Sequence, residues 1–203
     1  MLSSLTGGAG VFRIILAAVI SYLLGNISPS IIMSRAMGGD IRSKGSGNAG
    51  TTNMLRTYGK KAAALTLLID AGKGALAVAI GRWLLPEAAL GICVVAVICG
   101  HIWPCLYEFK GGKGVATTLG ALLCLSPKTG LIVLAAALIV IVATKMVSAG
   151  SVLGAVLLPL ISRFTAPLFT PYALAVMLIV VAKHRANISR ILSGTESKIS
   201  FKK

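Results

Sequence analysis

The chain has 203 residues, 56% hydrophobic and only 12% charged, against roughly 25% charged in an average soluble domain. Its formal net charge of +15 comes from 20 Lys and Arg against 5 Asp and Glu, a balance that suits anionic lipid, an anionic substrate or nucleic acid. Nucleic acid is excluded, because the basic residues lie between apolar blocks and aromatics make up only 5% of the chain, leaving no base-stacking platform.

The apolar residues come in long blocks, not at amphipathic spacing, which predicts an all-α integral membrane protein. The first block covers 11–33 and is interrupted by Asn26, Ser28 and Pro29. It lacks a strongly basic leader and an A-x-A cleavage site, so it reads as a retained helix. The second and third blocks cover 61–85 and 88–106. Between 115 and 164 the blocks shorten to 115–126, 129–144 and 151–164, and a final block lies near 171–184. Counting every block gives a compact bundle of about seven transmembrane helices, some short, in one domain over 1–203. A strict length rule gives five full spans plus a re-entrant hairpin at 115–144.

Both counts give the same sidedness. With the N-terminus outside, one face collects 15 basic residues: Arg35, Arg42, Lys44, Arg56, Lys60, Lys61, Lys110, Lys113, Lys145, Lys183, Arg185, Arg190, Lys198, Lys202 and Lys203. The other face has 4, namely Arg13, Arg82, Lys128 and Arg163, and the rich face is predicted to be cytoplasmic. Cys93, Cys99, Cys105 and Cys124 have no metal-ligand spacing and read as inert buried thiols.

Three segments carry chemistry-bearing residues. The first places Gly45, Gly47 and Gly50 among Ser46, Asn48, Thr51, Thr52 and Asn53, with Arg42, Lys44 and Arg56 close by. Glycine lets backbone N–H groups approach an anion, and hydroxyl and amide groups add donors, so the segment suits phosphate. The second presents Lys110, Gly111, Gly112, Lys113 and Gly114 ahead of an apolar block. A helix starting there would offer free N–H groups and its positive dipole end to an anion beside Lys113. Lys113 is followed by Gly114 where a Walker A loop has Ser or Thr, so nucleotide hydrolysis is not supported. In the third, His184 and Asn187 share a helix face, with His184 suited to act as base or to orient a hydroxyl. Ser148 and Ser151 mark a short turn, SAGS, able to close over the same site. Asp70 and Lys73, three apart in the second helix, read as a structural pair, and His101 as an interfacial hydrogen-bonding residue.

Together, GSGNAGTTNMLR (45–56), GHIWP (100–104) with FKGGKGVAT (109–117), and HRANISRILSGTE (184–196) resemble the bacterial acyl-phosphate glycerol-3-phosphate acyltransferases, the PlsY family. DAGKG (70–74) and SAGS (148–151) are lesser matches. The resemblance implies acyl transfer from acyl phosphate to the sn-1 hydroxyl of glycerol 3-phosphate. The products would be lysophosphatidic acid and phosphate, in the first step of membrane phospholipid synthesis. It implies no metal and no cofactor, a bacterial inner-membrane location, contact with membrane lipid, and a functional link to an enzyme that makes acyl phosphate. Carried over by position, the important Ser and Arg of the first motif fall on Ser46 and Arg56, and the glycerol-3-phosphate motif on Gly111, Gly112, Lys113 and Gly114. The third motif falls on His184, Asn187 and Glu196, with Glu196 structural rather than catalytic. Two other readings compete. An acyltransferase using acyl-CoA or acyl carrier protein would carry His and Asp separated by four residues, but Leu106 and Ser189 stand where that Asp would follow His101 and His184. A transporter of an anionic metabolite would need polar residues crossing to the far face, and 129–143 and 173–182 are nearly devoid of them.

Overall fold

A computed structural model describes residues 7–199; Lys202 and Lys203 of the basic tail lie outside them. Among the described residues every regular element is a helix. The chain divides into two compact units, Met1–Leu125 and Ser126–Lys203. The first holds α1 (Gly8–Asn26), α2 (Pro29–Ala36), α3 (Thr51–Leu84), α4 (Gly91–Ile102) and α5 (Val115–Leu125). The second holds α6 (Pro127–Thr144), α7 (Val147–Thr165), α8 (Thr170–Lys183) and α9 (Arg185–Leu192).

Five stretches are long and apolar enough to cross a bilayer: Gly8–Ala36, Thr51–Leu84, Glu87–Tyr107, Pro127–Thr144 and Val147–Thr165. A sixth is the pair Pro167–Lys183 and Arg185–Leu192, bent by 62°. Exposed Leu68, Trp83, Ile139 and Phe164 fit a lipid environment. The protein is an integral, multi-pass membrane protein. The seventh expected segment, α5, has 11 residues, roughly 16 Å at 1.5 Å per residue, too short to cross unaided.

In the first unit, Pro29 disfavours helix at Ser28, and Ile27 and Ser28 are extended, so the first span breaks into α1 and α2 at the interruption expected there. The second span starts at Thr51, not at 61. Extended Gly50 precedes it, and Gly59 inside it is non-helical (φ 84°, ψ −174°), so the expected start falls just past a kink. Glycines allow close helix packing: a Cβ on Gly25 would lie 2.8 Å from the Gly100 Cα, and one on Gly74 would strike the Thr117 carbonyl. Arg82 donates to the Cys124 and Leu125 carbonyls at the end of α5 (2.8 and 3.3 Å), satisfying acceptors that the helix terminus leaves open.

In the second unit Ser126 caps α6, its hydroxyl accepting from the Thr129 N–H, and Lys145 ends it in a left-handed conformation (φ 61°). Ser148 and Ser151 lie in the first turns of α7, not in a turn between helices. Met146 takes the extended capping conformation, so the helix begins at Val147 and takes in both serines.

Candidate active site

The first motif folds around Asn53, which is 1% exposed. Its amide nitrogen donates to the carbonyls of Ile41 (3.2 Å), Lys44 (2.9 Å) and Asn48 (3.1 Å), and its oxygen accepts from the Ser46 N–H (2.9 Å). Asn53, expected to contact substrate, is thus taken up in shaping the loop. Gly45 is required twice over: its φ is +57°, and a Cβ there would run into the Asn53 side chain. Ser46 and Arg56 are exposed, and Asn48 and Thr52 are half-buried.

The second motif meets the first at one end of this unit. Arg42 donates from Nη1 to the Tyr107 carbonyl (3.0 Å) and grips Asp40 through Nε and Nη2 (3.1 and 2.8 Å). Asp40, Arg42, Ser43 and Gly47 of the first segment and Glu108, Lys110 and Gly111 of the second line an open cleft of about 460 Å³. Arg42 holds the Asp40 carboxyl down to about 2, so the pair stays ionised. Glu108 pairs with Lys110 at 3.3 Å. The charges lining the cleft therefore balance, and Arg35, 3.5 Å from Asp40 Oδ2, adds a positive charge beside it. Of the cleft residues, Arg42 lies beside the segment whose sequence suits phosphate, whereas Asp40, Ser43 and Glu108 join it only in the fold; the i,i+2 alternation of opposite charges at 40–42 and 108–110 is the sequence signal for them.

Gly111 and Gly112 behave differently from the expectation of free N–H groups. Gly111 donates to the Ile102 carbonyl and Gly112 to the His101 carbonyl, both at 3.1 Å. They are glycines because a Cβ on Gly111 would lie 2.7 Å from Pro104 Cδ and one on Gly112 2.8 Å from the Ala49 carbonyl. Gly114 (φ 82°) turns the chain into α5, whose first intrahelical bond runs from the Thr118 N–H to the Gly114 carbonyl. The N–H groups ahead of it lack an intrahelical acceptor, beside half-buried Lys113.

The cysteines are not uniformly buried: Cys93 is, but Cys105 is exposed, its thiol donating to the Asn26 side chain (3.2 Å). Asp70 and Lys73 form the expected pair (2.8 Å), both buried. His101 is buried against that pair, its Nδ1 2.9 Å from the Lys73 ammonium, which fits the expected hydrogen-bonding role.

In the second unit His184 does not share a continuous helix with Asn187, because it sits at the bend between α8 and α9. Its Nδ1 lies 2.8 Å from the Val180 carbonyl, which can only accept, so Nδ1 carries a proton and donates it there. Asn187 and Ser148 each donate to Glu196 Oε1 at 2.7 Å, and Arg190 to Oε2 at 2.7 Å. Burial works to raise the Glu196 carboxyl, and the three donors outweigh it, leaving it below its ordinary value. Ser151 donates to the Val147 carbonyl of its own helix (2.9 Å). Both serine hydroxyls are therefore engaged within the protein.

A sequence model of the glycerol-3-phosphate acyltransferase family matches residues 15–194. The chain belongs to that family. It is 45% identical over 203 residues to a glycerol-3-phosphate acyltransferase of Clostridioides difficile (strain 630), covering 95% of this chain and 98% of that one. With a Ralstonia pickettii (strain 12J) member it shares 44% over 200 residues, covering 93% and 95%. The fold matches a crystal structure of PlsY, an integral membrane glycerol 3-phosphate acyltransferase, in its glycerol 3-phosphate form. The TM-score is 0.86, identity 31% and coverage 96% of both chains. The lysophosphatidic acid form of PlsY matches with TM-score 0.83 and 28% identity over 92% of this chain and 95% of that one. The expected family is thereby confirmed.

Proposed function

We propose that this acyltransferase moves an acyl group from acyl phosphate to the sn-1 hydroxyl of glycerol 3-phosphate, at the cytoplasmic face of the bacterial inner membrane. It works as a single transmembrane domain with its N-terminus outside. The likeness, over nearly the whole chain, to a PlsY structure in the glycerol 3-phosphate form carries this reading. The meeting of the first two motif loops at a basic end of the first unit supports it.

Both substrates are anionic and one is lipidic, so the chemistry asks for basic groups at a membrane surface. Arg56 and Lys113 hold phosphate, with Ser46 and the N–H groups at the start of α5 as further donors. The sn-1 oxygen forms a bond to the acyl carbonyl carbon, the bond from that carbon to the phosphate oxygen breaks, and inorganic phosphate leaves. An acyl phosphate is already activated, so catalysis consists mainly of positioning and charge stabilisation. A phosphate oxygen takes the hydroxyl proton, being near its second pKa of about 6. His184 and Asn187 orient the attacking hydroxyl, and Glu196 fixes Asn187. Purified protein given glycerol 3-phosphate with either acyl phosphate or acyl-CoA tests the donor. Lysophosphatidic acid formed from acyl-CoA alone would refute the assignment.

A further inference from the structure

Lys73, Asp70 and His101 form a buried charged cluster in the first unit, with exposures of 4%, 1% and 6%. The Lys73 ammonium donates to the Gly25 carbonyl (3.0 Å) and the Ile27 carbonyl (2.6 Å), two acceptors freed by the break between α1 and α2. Its third aligned partner is Nδ1 of His101, at 2.9 Å. Asp70 Oδ1 lies 2.8 Å from the ammonium and 3.2 Å from the same Nδ1, close enough to balance the charge though not aligned as a hydrogen-bond acceptor. An ammonium has three protons and no acceptor. Two of these protons go to the carbonyls and the third faces Nδ1 of His101, so the ring is tied to Lys73.

The far edge of that ring meets the motif loops. A Cβ added to Gly112 would strike His101 Nε2 and lie 2.8 Å from the Ala49 carbonyl, so the imidazole edge, the second-motif glycine and the first-motif backbone come together at one point. The end of α1 holds the chain between them: Tyr22 donates to the Trp103 carbonyl (2.7 Å) and Asn26 accepts from the Leu106 N–H (3.2 Å). We infer that His101 is a positioning residue. Its ring, fixed by Lys73 at the helix break, spaces the first and second motif loops and thereby sets Lys113 for the phosphate of glycerol 3-phosphate. The inference rests on the assignment of Lys113 to that phosphate.

The variants separate the ring's two ends. Asn at 101 places an acceptor where Nδ1 stood and satisfies Lys73, but leaves the space against Gly112 empty; Gln reaches further toward Gly112. Initial rates against glycerol 3-phosphate, with unfolding midpoints, are measured for His101→Asn, His101→Gln and Lys113→Ala. The expected result is a KM for glycerol 3-phosphate raised about tenfold in His101→Asn, with kcat and unfolding midpoint near wild type and His101→Gln closer to wild type. A purely structural role would lower the midpoint and the active fraction and leave KM in place. An unchanged KM in folded His101→Asn, while Lys113→Ala raises it, overturns the inference and leaves the anion site standing. An unchanged KM in Lys113→Ala overturns the site assignment and this inference with it. If His101→Asn does not fold, the cycle of His101→Gln with Gly112→Ala decides: non-additive effects on KM support a shared contact, and additive effects refute it.

Discussion

Replacing Glu196 by Gln keeps the side chain's shape and removes its charge, and the structure sets what that should cost. The Glu196 side chain is 5% exposed and that of its partner Arg190 42% exposed. A Gln amide turned so that its oxygen keeps the Ser148 and Asn187 donors must set its NH₂ against Arg190. The half-exposed Arg190 pair is discounted for solvent to about 0.5 kcal/mol. The two buried bonds change from charge-assisted to neutral, losing about 1 kcal/mol each. Glu196→Gln should therefore destabilise by about 2 to 3 kcal/mol at neutral pH. Glu196→Ala leaves the Asn187 amide and the Ser148 hydroxyl unpaired, at about 1 to 3 kcal/mol each in addition. A carboxyl with a lowered folded-state pKa contributes stability that is fully present above its ordinary value of 4.5 and lost as pH falls through the lowered one. The wild-type advantage over Glu196→Gln should therefore hold at pH 7 and shrink below about pH 4. Denaturant unfolding in detergent at several pH values measures it. Equal stabilities of wild type and Glu196→Gln at pH 7, or a gap that widens on acidification, would refute the reasoning.

Gly120→Ala drives a Cβ into the Ala71 backbone and should cost about 1 to 3 kcal/mol. Gly72→Ala, with open space around it, should be neutral or stabilise by up to about 1 kcal/mol, and the two unfolding curves compared side by side check the packing of α3 on α5. Arg56→Ala and Lys113→Ala should lose far more activity than the α6 change Leu138→Ala; near-normal turnover at low glycerol 3-phosphate in folded variants would remove the anion-site assignment. A single thiol at Ser46 or Ser197 in a cysteine-free background should resist an impermeant reagent added to intact cells, and labelling from outside would reverse the topology. His184→Ala should reduce turnover without abolishing it and keep the pH dependence of phosphate ionisation. Loss of nearly all activity together with disappearance of a wild-type ascending limb near about 6.5 would make His184 the general base.

What the sequence made legible was whatever is local along the chain. Apolar blocks longer than a bilayer requires, and the Asn26 to Pro29 interruption with its proline, follow from hydropathy and backbone sterics within a few residues. The motif segments were visible as runs of glycine, hydroxyl and basic residues. The helix start at Thr51 was hidden because polar Thr, Asn and Arg residues carry no apolar period before the Gly59 kink. Contacts of long separation were hidden for a different reason. Nothing local announces that Glu196 accepts from Ser148, 48 residues away, or that Lys73 reaches both the helix break and His101, 28 residues on. Such pairs exist only once helices pack, and a lone histidine on an apolar helix looks the same with or without them.

The second-motif glycines show how far this difference reaches into mechanism. Read as a sequence, Gly111 and Gly112 are donors for phosphate; in the fold their N–H groups are already bound to the end of α4. A donor held by a backbone carbonyl cannot also be counted toward a phosphate, so under the proposed function the charge falls to Arg56, Lys113 and the start of α5. The glycines instead permit the backbone to lie against His101, Pro104 and Ala49. Substituting them shifts the loop that carries Lys113 and leaves the number of phosphate donors unchanged. The resulting defect should be one of affinity for glycerol 3-phosphate more than of the acyl-transfer step, because a displaced clamp weakens ground state and transition state alike.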